Sequence, residues 1–161
     1  MLDIPSISAI VAAIGVLVGV VLTVLELRHL VKERQSDLLV RLFSTAGSKD
    51  WLEAWMKVRD RETLDYDDYK EKYGFVEINE VFVFFELAGR LVKKRLIDID
   101  LLPFARGQVE ATWEKIKPIL EGSRKRFNEP RTGYGFEYLY NEMKKREQKL
   151  NNQRHRQMAS P

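Results

Sequence analysis

Cysteine is missing from the chain. That excludes disulfides, thiol nucleophiles and any iron–sulfur or cysteine-held zinc site, and it fits a reducing compartment. Histidine is almost as scarce. His29 and His155 lie far apart, with no second histidine at helical spacing, so no metal-ligand set is expected. There is no Gly-x-Ser-x-Gly elbow, no Walker loop and no Gly-x-Gly-x-x-Gly, so no cofactor and no small-molecule substrate are expected either. Strong charge of one sign is also lacking. With 27 basic against 24 acidic residues the net charge is +3, too little to argue for nucleic acid, and no DNA- or RNA-reading motif is present.

What the chain does have is a long uncharged run. Ile4 to Leu25 (IPSISAIVAAIGVLVGVVLTVL) carries no charge over 22 residues. As a helix it reaches about 33 Å, enough to cross a hydrocarbon core of about 30 Å. A helix satisfies its own backbone groups inside lipid, so a transmembrane helix is the expected structure. The alternative, a buried core helix, needs a domain large enough to enclose a rod that is apolar on every face. A cleaved signal peptide fits poorly, because only Met1, Leu2 and Asp3 precede the run and the apolar stretch is long for an h-region. Arg28, Lys32 and Arg34 follow directly, so the positive-inside rule predicts an outside N-terminus and a cytoplasmic C-terminal domain in the cell membrane. Ser8, Ala12, Gly15, Gly19 and Thr23 form a stripe of small residues, the pattern that lets a second membrane helix approach closely.

The expected organisation is an anchor at 1–25, a juxtamembrane stalk helix at 26–47, a cytoplasmic helical domain at 48–148 and a disordered basic tail at 149–161. The fold class is all-α: one transmembrane helix continuing into a stalk, then a small helical bundle. At 45% apolar and 32% charged residues, the remainder is long enough for one folded domain with its own core. No Gly or Pro interrupts Leu25 to Ala46, so the first helix should stop at Ala46-Gly47. Ser48 is placed to cap a helix from Lys49 to about Arg61, and Asp65 or Asp67 a short one ending at Gly74. The cluster Asp65, Asp67, Asp68 and Glu71 lacks the turn glycine and last-position glutamate of a calcium loop, so capping explains it better.

Phe75 to Leu96 reads as the core helix. Glu86 stands inside its apolar run four residues before Arg90, the spacing and order of a helical ion pair. A buried structural pair is the expectation; a raised-pKa acid in a cleft is the competing one. Asp98 or Asp100 should cap the next helix, with Pro103 near its start, a kink at Pro118 and a stop at Gly122. Gly133-Tyr134-Gly135 reads as a flexible turn before a last helix that runs to about Gln148.

Two basic clusters remain: Arg124, Lys125, Arg126 and Arg131 near the last turn, and Lys144, Lys145, Arg146, Lys149, Arg154 and Arg156 at the end. With Arg28, Lys32 and Arg34, the residues Arg124, Lys125 and Arg126 are candidate headgroup contacts.

The segments LELRHLVKERQSDLLVRLFSTAGSKDWLEAW, FFELAGRLVKKRLIDIDLL, WEKIKPILEGSRKRF and GYGFEYL follow the span in that order. This arrangement resembles an uncharacterised domain-of-unknown-function family of small single-span prokaryotic membrane proteins. The resemblance implies the topology and no activity. The expected function is a membrane-anchored interaction module, an accessory or assembly subunit or a self-associating scaffold, whose partners are the bilayer and another transmembrane helix. The alternatives are a peripheral sensor of anionic lipid and, least favoured, an enzyme built around Glu86.

Overall fold

Helix formation here follows from long Gly- and Pro-free stretches closed by identifiable caps. The computed structural model describes the backbone of residues 4–158 and the side-chain surroundings of residues 14–152. By its internal packing the chain divides into residues 1–38 and 39–161.

The first unit is the apolar part of α1, Ile4–Ala46. Every described side chain from Ile14 to Arg34 is exposed, including Val16, Leu17, Val18, Val21 and Leu22. Among the described residues, α1 is the one helix long and apolar enough to cross a membrane. It ends at Ala46 as expected, where the Gly47 N–H closes onto the Phe43 carbonyl at 2.9 Å.

The second unit is a bundle of helices, with no strand among the described residues. It comprises α2 (Lys49–Asp60), α3 (Tyr66–Tyr73), α4 (Val76–Lys93), α5 (Arg106–Phe127) and α6 (Tyr134–Met158). Ser48 Oγ accepts from Trp51 N at 3.3 Å, and Asp65 Oδ1 accepts from Asp67 N and Asp68 N at 3.0 Å. These two side chains satisfy the orphan N–H groups that start α2 and α3. Gly74, at φ +69°, turns the chain out of α3 in the left-handed region that glycine occupies freely. α4 has no glycine at its end. It closes instead with Arg95 at φ +57°, and Leu96 N donates back to Leu91 O at 3.0 Å.

α4 is the packing centre, contacted by α2, α5 and α6. Its inner face carries Ile78, Val81, Phe84, Phe85 and Ala88, all buried. The aromatic rings run on from there. Trp51 lies 4.7 Å from Phe84, Phe85 stacks on Phe136 at 4.9 Å, and Trp113 meets Phe136 edge-on at 5.2 Å. Such offset and edge-to-face pairs add to the burial energy of the rings themselves.

Three sequence expectations give way. Asp98 caps only a short 3-10 turn, Ile99–Leu101, and α5 starts at Arg106, beyond Pro103, with the Gln108 side chain accepting from Ala105 N at 2.9 Å. Gly122 does not stop α5, which runs through Pro118 to Phe127 and turns at Asn128 (φ +52°). Gly122 is instead where Tyr66 of α3 packs, for a Cβ there would overlap the Tyr66 side chain. Finally, α6 continues to Met158, through most of the segment expected to be a disordered tail. No Gly or Pro falls between Phe136 and Met158, and the stretch is rich in Lys, Arg, Glu and Gln, which are strong helix formers. Residues 159–161 lie outside the described residues.

Candidate functional site

The most constrained polar group in the bundle is Glu86, which α4 carries on its buried side. Arg90 Nε donates to Glu86 Oε1 at 2.7 Å, one helical turn on. The second oxygen, Oε2, accepts from the backbone N–H of Phe136 at 2.9 Å. Phe136 is the third residue of α6, so its N–H is one of the orphan donors at the positive end of that helix. Glu86 is therefore an N-terminal cap for α6 supplied from another helix, and both its oxygens are engaged. That is the geometry of a buried carboxylate kept ionised by a guanidinium and a helix end.

Two glycines make this approach feasible. A Cβ on Gly89 would overlap the Gly135 carbonyl, and a Cβ on Gly135 would overlap the Glu86 carbonyl and crowd Arg90. The backbones of α4 and α6 thus touch. Gly133-Tyr134-Gly135 is not a flexible turn: Gly133 and Gly135 are buried, and Gly133 holds φ +78°. In the sequence a pair of glycines looks like looseness because the surface they pack against, Gly89, is far away along the chain. The signal that was available is Gly89 itself, a glycine in the interior of a helix with no capping role.

A second polar cluster, missed in the sequence, centres on Arg61 just after α2. Its Nη1 donates to Tyr69 Oη at 3.2 Å and to Glu77 Oε2 at 3.3 Å, and its guanidinium lies 4.8 Å from the Tyr73 ring centroid. Lys57 Nζ donates to Glu77 Oε1 at 3.1 Å, and Lys115 of α5 donates to the Arg61 carbonyl. The cluster ties α2, α3, α4 and α5 together. The Glu77 carboxyl is held below the usual glutamate range, first by a backbone N–H and then by Lys57 and Arg61. Burial pushes the Tyr69 hydroxyl up, against the pull of Arg61. For Arg61 burial acts downward, but its bonds to Tyr69 and Glu77 outweigh it and hold the guanidinium above its ordinary value.

The candidate headgroup contacts divide. Arg28, Lys32 and Arg34 are exposed on α1, and Lys125 is exposed on α5; none of the four forms an ion pair among the described residues. Arg124 and Arg126 are used inside the bundle. Arg124 donates to the Thr132 carbonyl at 2.7 Å and to Glu137 at 2.7 Å, holding the turn before α6 in place. Arg126 pairs with Asp67 and lies over the Tyr66 ring. At the other cluster, Arg146 pairs with Asp100 and Lys145 with Glu142 at 2.9 Å.

In the small-residue stripe, a Cβ on Gly15 or Gly19 would meet nothing within 4 Å, and Thr23 Oγ1 donates to the Gly19 carbonyl at 2.8 Å. Ser8 and Ala12 lie outside the residues whose side chains are described. A cavity of about 220 Å³ between α3, α4 and α5 is walled by Tyr66, Ile78, Phe82, Ile119 and Leu120, with no charged residue on its lining.

The comparison with known families fits this geometry. The model of the family described as "Domain of unknown function (DUF4760)" matches residues 9–143. The chain belongs to the DUF4760 family. The DUF4760 match takes in most of the apolar run, the Arg61 cluster and the Glu86, Gly89 and Gly135 contact, and it stops before the Lys144–Lys149 basic run. No curated protein and no solved structure matches the chain.

Proposed function

We propose that this chain is a membrane-anchored assembly module. In this reading α1 crosses the cell membrane with its N-terminus outside, and the cytoplasmic bundle serves as an accessory subunit or a self-associating scaffold. One observation carries the reading: the apolar side chains of α1 are exposed throughout, so they need lipid and a neighbouring helix rather than the bundle as their surroundings. The open Gly15 and Gly19 positions support a helix as that neighbour. The exposed Arg28, Lys32 and Arg34 after the apolar stretch support the orientation. The reading is non-enzymatic because the one buried carboxylate, Glu86, has both oxygens engaged.

The test is isolation of the full chain from native membranes in mild detergent, followed by native sizing and mass spectrometry. A defined oligomer or a stoichiometric co-purifying membrane protein is expected. A lone monomer at every concentration would refute the proposal. Replacing Gly15 and Gly19 by Leu should weaken assembly through the span, and unchanged assembly would move the contact elsewhere.

Anionic-lipid contact is the second reading, favoured by Phe127, 60% exposed at the end of α5 close to Lys125. A spin label on Phe127→Cys, in a chain with no other cysteine, should sit at headgroup depth in nanodiscs containing phosphatidylserine and leave it at high salt. A label that stays in water at low salt removes this reading.

A further inference from the structure

The packing centre of the bundle has one face that nothing covers. α4 is contacted by α2, α5 and α6, yet Val76, Glu80, Val83, Leu87, Arg90 and Lys94 are all exposed. The apolar members are well exposed, Val76 at 79%, Val83 at 59% and Leu87 at 49%. The six positions are spaced alternately four and three residues apart. That is the repeat of a coiled-coil seam, in which such positions line one side of a helix and meet a partner helix.

The order of residues along the seam selects the partner. Val83 and Leu87, Glu80 and Arg90, and Val76 and Lys94 are each symmetric about position 85. If a second α4 is laid antiparallel across a two-fold axis at that level, Val83 faces Leu87 of the other copy. Glu80 then faces the other copy's Arg90, and Val76 the apolar stem of its Lys94. Every apolar residue meets an apolar surface and every acid meets a base, twice over, which is the self-complementarity an isologous dimer requires. A parallel pairing would set Glu80 against Glu80 and Arg90 against Arg90 instead.

The charged groups are available for this. Glu80 forms no ion pair among the described residues. The Arg90 side chain is 65% exposed, and only its Nε is spent on Glu86, which leaves the two terminal nitrogens to bind a carboxylate. The same bond to Glu86 holds the arginine's stem in position, so the guanidinium is already oriented before a partner arrives.

We infer that the open face of α4 is a homodimer seam, with two copies of this chain packing antiparallel through Val83 and Leu87 and pairing Glu80 with Arg90 across the axis. The inference rests on the assembly reading above and names its partner as a second copy.

Cysteine cross-linking tests it on the full chain in detergent or nanodiscs, since no native thiol interferes. Val76 and Lys94 are 18 residues apart, about 27 Å along the helix. Copies bearing Val76→Cys and copies bearing Lys94→Cys should therefore cross-link when co-expressed, and neither variant should cross-link alone. Leu87→Asp, at an exposed position, should keep the helical circular dichroism and raise the dimer dissociation constant at least tenfold. Glu80→Arg should also weaken the dimer. Cross-linking of a single variant with itself would show a parallel contact and overturn the seam. If native sizing shows an oligomer while the mixed copies fail to cross-link and Leu87→Asp leaves its dissociation constant unchanged, the seam fails and the assembly reading stands. A monomer at every concentration sinks both.

Discussion

Glu86 shows how much a single side chain can organise when it serves two partners. Its carboxylate holds Arg90 on one oxygen and the first turn of α6 on the other. Glu86→Gln keeps the shape but loses the charge, so one of its contacts must face a donor with a donor. We expect a loss of about 1–3 kcal/mol, the range for leaving a buried polar group badly paired. Thermal unfolding of the full chain in detergent, followed at 222 nm, measures it, and a variant as stable as the wild type would contradict the capping role. The glycines beneath it are a sharper test. At Gly135 an added methyl collides with backbone rather than with the movable end of a side chain, so Gly135→Ala cannot be relieved by a rotamer change. It should cost about 3 kcal/mol, at the upper end of overpacking. Gly107 is the matched control. It lies in α5 with nothing within 4 Å of a new Cβ, so Gly107→Ala should stabilise by about 0.5–1 kcal/mol through the unfolded chain. Equal effects at the two positions would mean that α4 and α6 are not in backbone contact.

At the scale of elements, the Arg61 cluster pins four helices to one another, and its carboxylate gives it a pH signature. Glu77 is held below its ordinary range in the folded chain, so ionised Glu77 favours folding. That contribution is whole above the unfolded glutamate value of about 4.3 and disappears as the pH falls through the lower folded value. The stability gap between the wild type and Glu77→Gln should therefore be constant near neutrality and close on acidification below about pH 4. Paired denaturation curves from pH 7 to pH 3 check this, and a gap that widens in acid would reverse the sign of the argument. The elements that were legible in the sequence are those whose causes are local. Ser48 and Asp65 cap because their oxygens reach N–H groups two or three residues away, and Glu86 meets Arg90 because four residues make one helical turn. What sequence could not supply is the partner brought by the fold. Phe136 N–H lies 50 residues from Glu86, and Asp67 lies 59 from Arg126. So Arg126, which looks free for a headgroup, is already paired, and Gly122, which looks like a helix stop, is where Tyr66 packs. The length of α6 was missed for another reason. A low apolar content argues against a buried helix, but not against an exposed one built from strong helix formers.

For the whole molecule the decisive quantity is the cost of leaving α1 in water. From Ile14 to Val31 it presents leucine, isoleucine and valine side chains that are between 43% and 66% exposed, and the chain offers them no cover. At about 25 cal/mol per Å² of apolar surface, lipid is the surrounding that removes this penalty. The same reasoning sets the size of a disruption. Ile14 and Val18 lie near the middle of the uncharged run, where an aspartate is about 3 kcal/mol unfavourable and the aliphatic residue it replaces is slightly favourable. Ile14→Asp with Val18→Asp should therefore cost about 6–7 kcal/mol of insertion free energy, enough to cancel most of what a span of this length gains. The wild-type chain should stay with the membrane pellet through an alkaline carbonate wash, and the double variant should appear in the supernatant or in aggregates. Neither substitution touches residues 39–161, so the bundle's tryptophan signal, from Trp51, Trp55 and Trp113, should be unchanged in the released material. A wild-type chain washed free by carbonate would show that α1 does not cross the bilayer. A double variant that stays in the pellet would show that something other than the apolar faces of α1 holds the chain there.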